Sequence, residues 1–181
     1  MPTTLEQSVH KYFLESDLFF DTKIDERLKW LPFATIYLLD IFGVRTRSSW
    51  RKQIVLTAAT EAIRYFIADN LKTFTDERRP IPYFNHRSFP SGHTCSSFAG
   101  AEFMHQELKD THRLFSYTGY VGATGVAIIR LMKSKHWLKD VVAGAVIGIC
   151  VTKIAYAIID NVSNRLHHHR QKSQEIIQEN L

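Results

Sequence analysis

The sequence predicts an all-α fold, a helical bundle of about five to seven helices. Apolar residues recur at the three- and four-residue spacing of an amphipathic helix, as Leu5, Val9, Tyr12 and Phe13 do near the N-terminus. No stretch keeps the alternation of a β-strand for long. The 181 residues, 45% of them hydrophobic, suit one domain with one core, and neither an internal repeat nor a low-complexity linker divides them.

Residues that start and stop helices define the predicted elements. Residues 5–30 are predicted to form one or two amphipathic helices, and the helix after them stops at Gly43. Pro80 imposes extended backbone after the next helix, and Ser91 is a suitable N-cap for another. The helices predicted after residue 30 cover 31–42, 50–73, 91–109, 113–131 and 139–169.

These elements predict three units along the chain. They are an N-terminal amphipathic helical segment over residues 1–30, a helical bundle over 31–165 and a charged C-terminal tail over 166–181. The histidines at 167–169 belong to the tail, because adjacent residues on a helix point apart and do not converge on a metal.

Two apolar segments raise the question of a membrane. Val141–Ile159 is the best candidate for a spanning helix, and Ser116–Leu131 is apolar but short. Two observations argue against a membrane protein: the mean hydropathy is only −0.17, and other apolar segments contain the charged residues Asp40, Glu61 and Arg64. The segments are either short spans packed together or core helices of a soluble bundle.

The net charge of the chain indicates which classes of binding partner to expect. The net charge of +5 and a pI near 9.2 favour anionic partners such as phosphorylated substrates or lipid head groups. No nucleic-acid-binding signature accompanies the charge, so nucleic acid is not expected as a partner. Cys95 and Cys150 both lie in apolar contexts and are predicted to be buried thiols.

Three polar clusters interrupt the apolar segments and share one chemical theme. The first runs from Lys72 to Arg79-Pro80, the second is Pro90-Ser91-Gly92-His93, and the third runs from Arg130 through His136 to Asp140. Together they supply three cations, a glycine turn with a hydroxyl, and two histidines, one with a carboxylate four residues on. This set of groups can hold a tetrahedral oxyanion and attack it.

Each cluster also has a structural interpretation. Pro90-Ser91-Gly92 is a common helix start, although free backbone N–H groups there also bind anions. His136 and Asp140 share one helical face, so Asp140 is either a helix cap or the group that fixes the tautomer of a nucleophilic imidazole. A lone lysine or arginine is usually a solvated surface charge.

The order and spacing Lys-x6-Arg-Pro, Pro-Ser-Gly-His and Arg-x5-His-x3-Asp resemble the type 2 phosphatidic acid phosphatase superfamily, which includes vanadium-dependent haloperoxidases. The resemblance spans about residues 50 to 160 and departs at Ile129, where the family usually has serine. It implies that His136 is the nucleophile that becomes phosphorylated, that Asp140 orients it, and that His93 is the general acid. Phosphate binding falls to the remaining motif residues, Lys72, Arg79, Ser91, Gly92 and Arg130.

The resemblance implies a phosphatase that hydrolyses a phosphomonoester or diphosphate, of a lipid or polyprenyl substrate, through a phosphohistidine. No metal or other cofactor is expected, because the motifs offer three cations that would repel one. The site would lie at helix ends on one face of the bundle, in an inner membrane and facing outside the cytoplasm. A soluble acid phosphatase of the same family, a vanadate-dependent haloperoxidase and a non-catalytic anion-binding protein remain as alternatives.

Overall fold

The computed structural model describes residues 23–80 and 86–179, together with Ser8. This part of the chain contains seven α-helices and no strand, which confirms the predicted all-α bundle. In chain order the helices are α1 (Ile24–Leu28), α2 (Leu31–Ile41), α3 (Trp50–Thr75), α4 (Gly92–Leu108), α5 (Arg113–Ser116), α6 (Thr118–Met132) and α7 (Leu138–Glu179).

The elements differ from the sequence prediction in two places, and one predicted segment is largely untested. The helix predicted over 113–131 is two helices, because the N–H of Tyr117 bonds to the carbonyl of Leu114, a tighter turn than an α-helix makes. Helix α7 continues to Glu179, so no break separates the predicted tail from the bundle; its arginine, lysine, glutamine and glutamate residues are good helix formers. Of the predicted N-terminal segment, residues 1–7 and 9–22 lie outside the described residues.

The core gathers around α4, which packs against α7 and α6 and also contacts α2 and α3. Phe103 of α4 is fully buried, and its ring centroid lies 5.3 Å from that of Phe33 and 6.1 Å from that of Tyr156. Burying aromatic and aliphatic side chains of this size contributes roughly 1.5–3 kcal/mol each. The same cluster includes Ile36, Leu56, Ala99, Met104 and Leu108.

Two glycines let α7 approach α4 more closely than side chains permit. A Cβ added at Gly144 would lie 2.7 Å from the carbonyl oxygen of Ser91, and one at Gly148 would lie 2.3 Å from that of Cys95. Both obstacles are backbone atoms, which cannot rotate away. The close approach allows the Ser91 N–H to donate to the carbonyl of Asp140 at 2.9 Å, so the starts of α4 and α7 meet.

The outer face of α7 is apolar along most of its length. About half of each side chain is exposed at Val142, Val146, Ile154, Ile158 and Val162. Cys150 is also exposed, so the prediction of a buried thiol there was wrong, whereas Cys95 is buried as predicted. Within the described residues, α7 is the one helix whose length and composition would allow it to cross a membrane.

Candidate active site

The three sequence clusters meet at one end of the bundle. The C-terminal ends of α3 and α6 bring Lys72 and Arg130 there, and the N-terminal ends of α4 and α7 bring His93 and Asp140. The α6–α7 loop turns within a few residues, and the N–H of Lys135 returns to the carbonyl of Arg130 at 3.2 Å. Residues far apart in sequence thereby come within hydrogen-bonding distance.

His136 is buried at the centre of this cluster. Its Nδ1 lies 3.0 Å from the backbone carbonyl oxygen of Ser88, and its Nε2 lies 3.3 Å from Nη2 of Arg130. A carbonyl can only accept a hydrogen bond and a guanidinium can only donate one, so the proton resides on Nδ1 and the lone pair on Nε2. Burial lowers the pKa of His136 to about 4 against the opposing effect of Asp140, which keeps the imidazole neutral at pH 7.

Asp140 both caps a helix and lies beside the histidine. Its Oδ2 accepts hydrogen bonds from the Ser88 hydroxyl at 2.5 Å and from the Trp137 N–H at 2.9 Å, at the start of α7. The same oxygen is 3.6 Å from Nδ1 of His136, beyond ordinary hydrogen-bond length. The carboxylate therefore acts on the imidazole mainly through its charge and through Ser88.

Arg130 and its neighbour Lys133 share a carboxylate from the short helix α1. Nη1 of Arg130 and Nζ of Lys133 each lie 2.6 Å from one oxygen of Asp25, which is 1% exposed. Burial alone would raise the pKa of Asp25, but the hydrogen bonds from Lys133 and Arg130 outweigh it and hold that pKa below its usual range. Asp25 therefore fixes the position of Arg130.

Lys72 and Arg79 supply the other two predicted cations. Nζ of Lys72 donates to the carbonyls of Pro90 at 2.6 Å and Arg87 at 3.1 Å, which ties the end of α3 to the loop before α4. Burial and the nearby Arg79 lower the pKa of Lys72 to about 8. Burial, followed by the charge of Arg130, also lowers the pKa of Arg79.

The start of α4 carries the remaining predicted residues. Ser91 is the N-cap, with extended backbone, and its hydroxyl lies 3.0 Å from the hydroxyl of Thr94. A Cβ at Gly92 would meet only the Cε of Lys72, at 3.9 Å, which is an ordinary contact. His93 lines a cavity of about 270 Å³ together with Lys72, Gly92, Lys29, Arg64 and Asp69. Burial, followed by the charges of Arg130 and Lys29, lowers the pKa of His93 to about 3.

Several buried polar atoms of the cluster have no hydrogen-bond partner among the described residues. They are Nε of Arg79, Nε2 of His93, Nε of Arg130 and Oδ1 of Asp140. Buried polar groups are normally paired, and nitrogen atoms that are able to donate match the oxygens of a bound oxyanion. No group of three or more His, Cys, Asp or Glu in the described ranges is arranged to hold a metal ion.

The structure thus brings together all eight residues singled out from the sequence, and it adds two more. Asp25 lies 105 residues from Arg130, and no spacing in the sequence links them. Ser88 lies two residues before Pro90, but nothing in its local sequence indicates a contact with Asp140 or His136.

Comparison with known proteins places this geometry in context. Residues 49–163 match the PAP2 superfamily. The chain is 34% identical over 142 residues, 78% of its length, to lipid A 1-phosphatase of Porphyromonas gingivalis, of which it covers 32%. It spans between a quarter and a third of the length of the phosphatases it matches in sequence.

Two crystal structures share the fold. Aquifex aeolicus LpxE superposes with a TM-score of 0.65 at 20% identity, covering 86% of this chain and 96% of that one. A transmembrane PAP2-type phosphatidylglycerolphosphate phosphatase from Bacillus subtilis superposes with a TM-score of 0.63 at 18% identity, covering 87% and 86%.

Proposed function

The chain belongs to the PAP2 superfamily, and on that premise we propose that it is a phosphatase that removes phosphate from a membrane lipid through a phosphohistidine. The observation that supports this most directly is the state of His136. Its imidazole is neutral, its proton is on Nδ1, and the lone pair of Nε2 faces the guanidinium of Arg130. A neutral imidazole with a fixed tautomer is the form that can attack phosphorus.

Substrate phosphate would bind among the cations at the start of α4. Lys72, Arg79 and Arg130 are close enough to affect one another's pKa, and the first turn of α4 would add backbone N–H groups as anion donors. The guanidinium that now donates to Nε2 of His136 would donate to a phosphate oxygen, a stronger acceptor, and free the nitrogen lone pair. The cations offset the charge of the transferring phosphoryl group.

In the first chemical step, Nε2 of His136 forms a bond to phosphorus while the bond from phosphorus to the leaving oxygen breaks. His93 gives its proton to that oxygen. Its pKa of about 3 without substrate makes it a weak base, but a phosphate dianion beside it raises the pKa and allows it to carry a proton. In the second step His93 takes a proton from water, the water oxygen attacks phosphorus, and the P–N bond breaks to release phosphate.

A lipid substrate agrees with the surface of the molecule. The outer face of α7 is apolar over a length that suits a bilayer, and the site lies at one end of that helix. The matched relative from Porphyromonas gingivalis acts, by its name, on lipid A. We place the site at the membrane surface outside the cytoplasm, where the phosphate of a lipid or polyprenyl diphosphate would reach it.

A phosphate-release assay tests the proposal. Purified protein would be offered phosphatidic acid, phosphatidylglycerol phosphate, lipid A, undecaprenyl diphosphate and a soluble phosphate ester, each with excess chelator. We expect release from at least one lipid substrate and its inhibition by vanadate. Activity that disappears with chelator and returns with a divalent ion would contradict the metal-free mechanism, and activity on the soluble ester alone would favour a soluble acid phosphatase.

A further inference from the structure

Ser88 occupies a fixed position beside His136 and Asp140. It is fully buried in the loop before α4, and its N–H donates to the carbonyl of Glu77 at 2.8 Å, which anchors its backbone. Its carbonyl oxygen lies 3.0 Å from Nδ1 of His136, and its hydroxyl lies 2.5 Å from Oδ2 of Asp140. One residue therefore contacts both members of the histidine–carboxylate pair.

These contacts change how the pair works. The spacing predicted that His136 and Asp140 share one helical face, but that prediction was wrong, because His136 lies two residues before α7 begins at Leu138. Here the direct distance from Nδ1 to Oδ2 is 3.6 Å, and the shorter contact of Nδ1 is the Ser88 carbonyl. The Ser88 hydroxyl lies 3.5 Å from Nδ1, to one side of the line that joins the imidazole to the carboxylate. The serine backbone thus fixes the tautomer, while the serine hydroxyl binds the carboxylate.

We propose that Ser88 is a positioning residue for the phosphatase reaction, whose carbonyl orients the His136 imidazole and whose hydroxyl moderates the pull of Asp140 on the imidazole proton. The inference rests on the proposed function. A hydrogen bond donated to Oδ2 spreads part of the negative charge of Asp140 onto the serine. Without it, the carboxylate would stabilise the imidazolium form of His136 more strongly.

Several charged groups act on His136, and they set the sign of the effect. Asp140 favours its protonated form, whereas Arg130, Arg79 and Lys72 disfavour that form. His93 lies close enough to interact with His136. Asp25 and Lys133 form an ion pair beside Arg130, so their opposite charges largely cancel at His136. Removing the Ser88 hydroxyl strengthens the one group that favours protonation, so the pKa of His136 should rise.

The test is a pH profile of Ser88→Ala on a lipid substrate that the parent protein hydrolyses. His136 must be neutral to attack, so its protonation defines the acid limb of kcat/KM, and a higher pKa moves that limb to higher pH. We expect kcat to fall about 10- to 100-fold, the range known for residues that orient a metal-binding histidine through its other ring nitrogen, with KM within about twofold. Ser88→Thr, which retains the hydroxyl, should restore both the rate and the position of the limb.

Ser97 offers a matched control. It is also a buried serine, on α4, but its hydroxyl has no hydrogen-bond partner among the described residues. Ser97→Ala should leave the rate and the acid limb as in the parent. A Ser88→Ala protein with parental kcat, or with a reduced kcat and an unmoved acid limb, would overturn the proposal. If Ser88→Ala does not fold, a shifted acid limb in Ser88→Thr would also overturn the proposed role of Ser88. A parent protein that is inactive on every lipid would instead refute the proposed phosphatase function.

Discussion

At the scale of single residues, the groups around His136 determine its protonation state and tautomer more than its spacing from Asp140 does. Burial and three cations make protonation unfavourable, and the Ser88 carbonyl and Arg130 guanidinium determine which nitrogen carries the proton. The site thus holds His136 as a neutral imidazole before any phosphate arrives. The proposed mechanism requires this, because a protonated imidazole has no lone pair with which to attack.

His136→Ala should abolish turnover without unfolding the protein. No other described side chain lies where the Nε2 lone pair does, so the loss should exceed about a thousandfold, as expected for removal of a nucleophile. Phosphate release and a melting curve measure the two properties, and His112→Ala, on an exposed loop, is the control. Rapid denaturation of the parent protein during turnover of labelled substrate should trap phosphate on His136. If His136→Ala keeps activity within about tenfold of the parent, the phosphohistidine mechanism is wrong.

The acid limb of kcat/KM should lie well below the ordinary histidine range. The pKa of His136 is lowered to about 4 from a usual value near 6.5, so the neutral form persists at mildly acidic pH and the acid limb that reports on His136 should lie near pH 4. A rate profile from pH 3.5 to 8 in a stable lipid–detergent mixture measures this. An acid limb near 6.5 that moves with substitution of His136 would show that the imidazole is not desolvated in solution.

Asp25→Asn should destabilise the protein and make its stability depend on phosphate. The carboxylate pairs with Arg130 and Lys133 at 2.6 Å each, and all three side chains are at least about nine-tenths buried. Removing one partner of a buried ion pair typically costs about 3–5 kcal/mol. Phosphate or vanadate would bring charge back to the same cations, so either should raise the melting temperature of the variant more than that of the parent.

Glu26→Gln, at the exposed neighbouring position, is the control for Asp25→Asn and should melt like the parent. Equal stabilisation of the parent and Asp25→Asn by phosphate would show that Asp25 does not share the phosphate-binding cations.

At the scale of elements, the sequence predicted the helices because glycine, proline and N-cap residues mark most of their ends. Gly43 follows the end of α2 and Ser91 starts α4, and the structure agrees, whereas α3 already ends at Thr75, with the left-handed Asp76 as its C-cap, before Pro80 is reached. The break at Tyr117 carried no such mark, since it depends on one tightened hydrogen bond. The eight candidate residues could be singled out because motif spacing is local, whereas Asp25 and Ser88 contact some of them through tertiary packing, which no spacing records.

Gly144→Ala should lower activity by separating α7 from α4. The new Cβ would lie 2.7 Å from the Ser91 carbonyl oxygen, a backbone atom, so the helices must move apart at the point where Ser91 bonds to Asp140. Such overpacking costs about 1–3 kcal/mol, and the displaced start of α7 carries Asp140 away from Ser88. Phosphate release and thermal stability should therefore fall together.

The control for Gly144→Ala is Gly122→Ala on α6, where an added Cβ meets nothing within 4 Å. Alanine is the better helix former, so this variant should be as stable as the parent or slightly more so. Parental activity in Gly144→Ala would show that the two helices are not held at this separation.

At the scale of the whole molecule, the apolar outer face of α7 lies between two basic regions, one at each end of the bundle. This helix has 42 residues and is therefore about 63 Å long, twice the thickness of the hydrocarbon core. Asp160, on the part of this helix far from the site, pairs with Arg47 at 2.8 Å and Lys52 at 2.6 Å. The basic loop before α3 and the basic C-terminal part of α7 therefore lie together, at the end opposite the site.

This arrangement puts the site and the C-terminal part of α7 at opposite ends of the bundle. With the site outside the cytoplasm, as proposed above, the C-terminal part of α7 should lie in the cytoplasm. The protein should remain in the membrane fraction after high-salt and alkaline washes and require detergent for extraction. A monodisperse protein in the high-speed supernatant would instead make it a soluble member of the family, with the proposed catalytic residues unchanged.

The orientation is tested by reporter fusions. A green fluorescent protein fused after Leu181 should fluoresce, and alkaline phosphatase fused there should be inactive, because the first folds in the cytoplasm and the second only outside it. The reverse pattern would place the site on the cytoplasmic face.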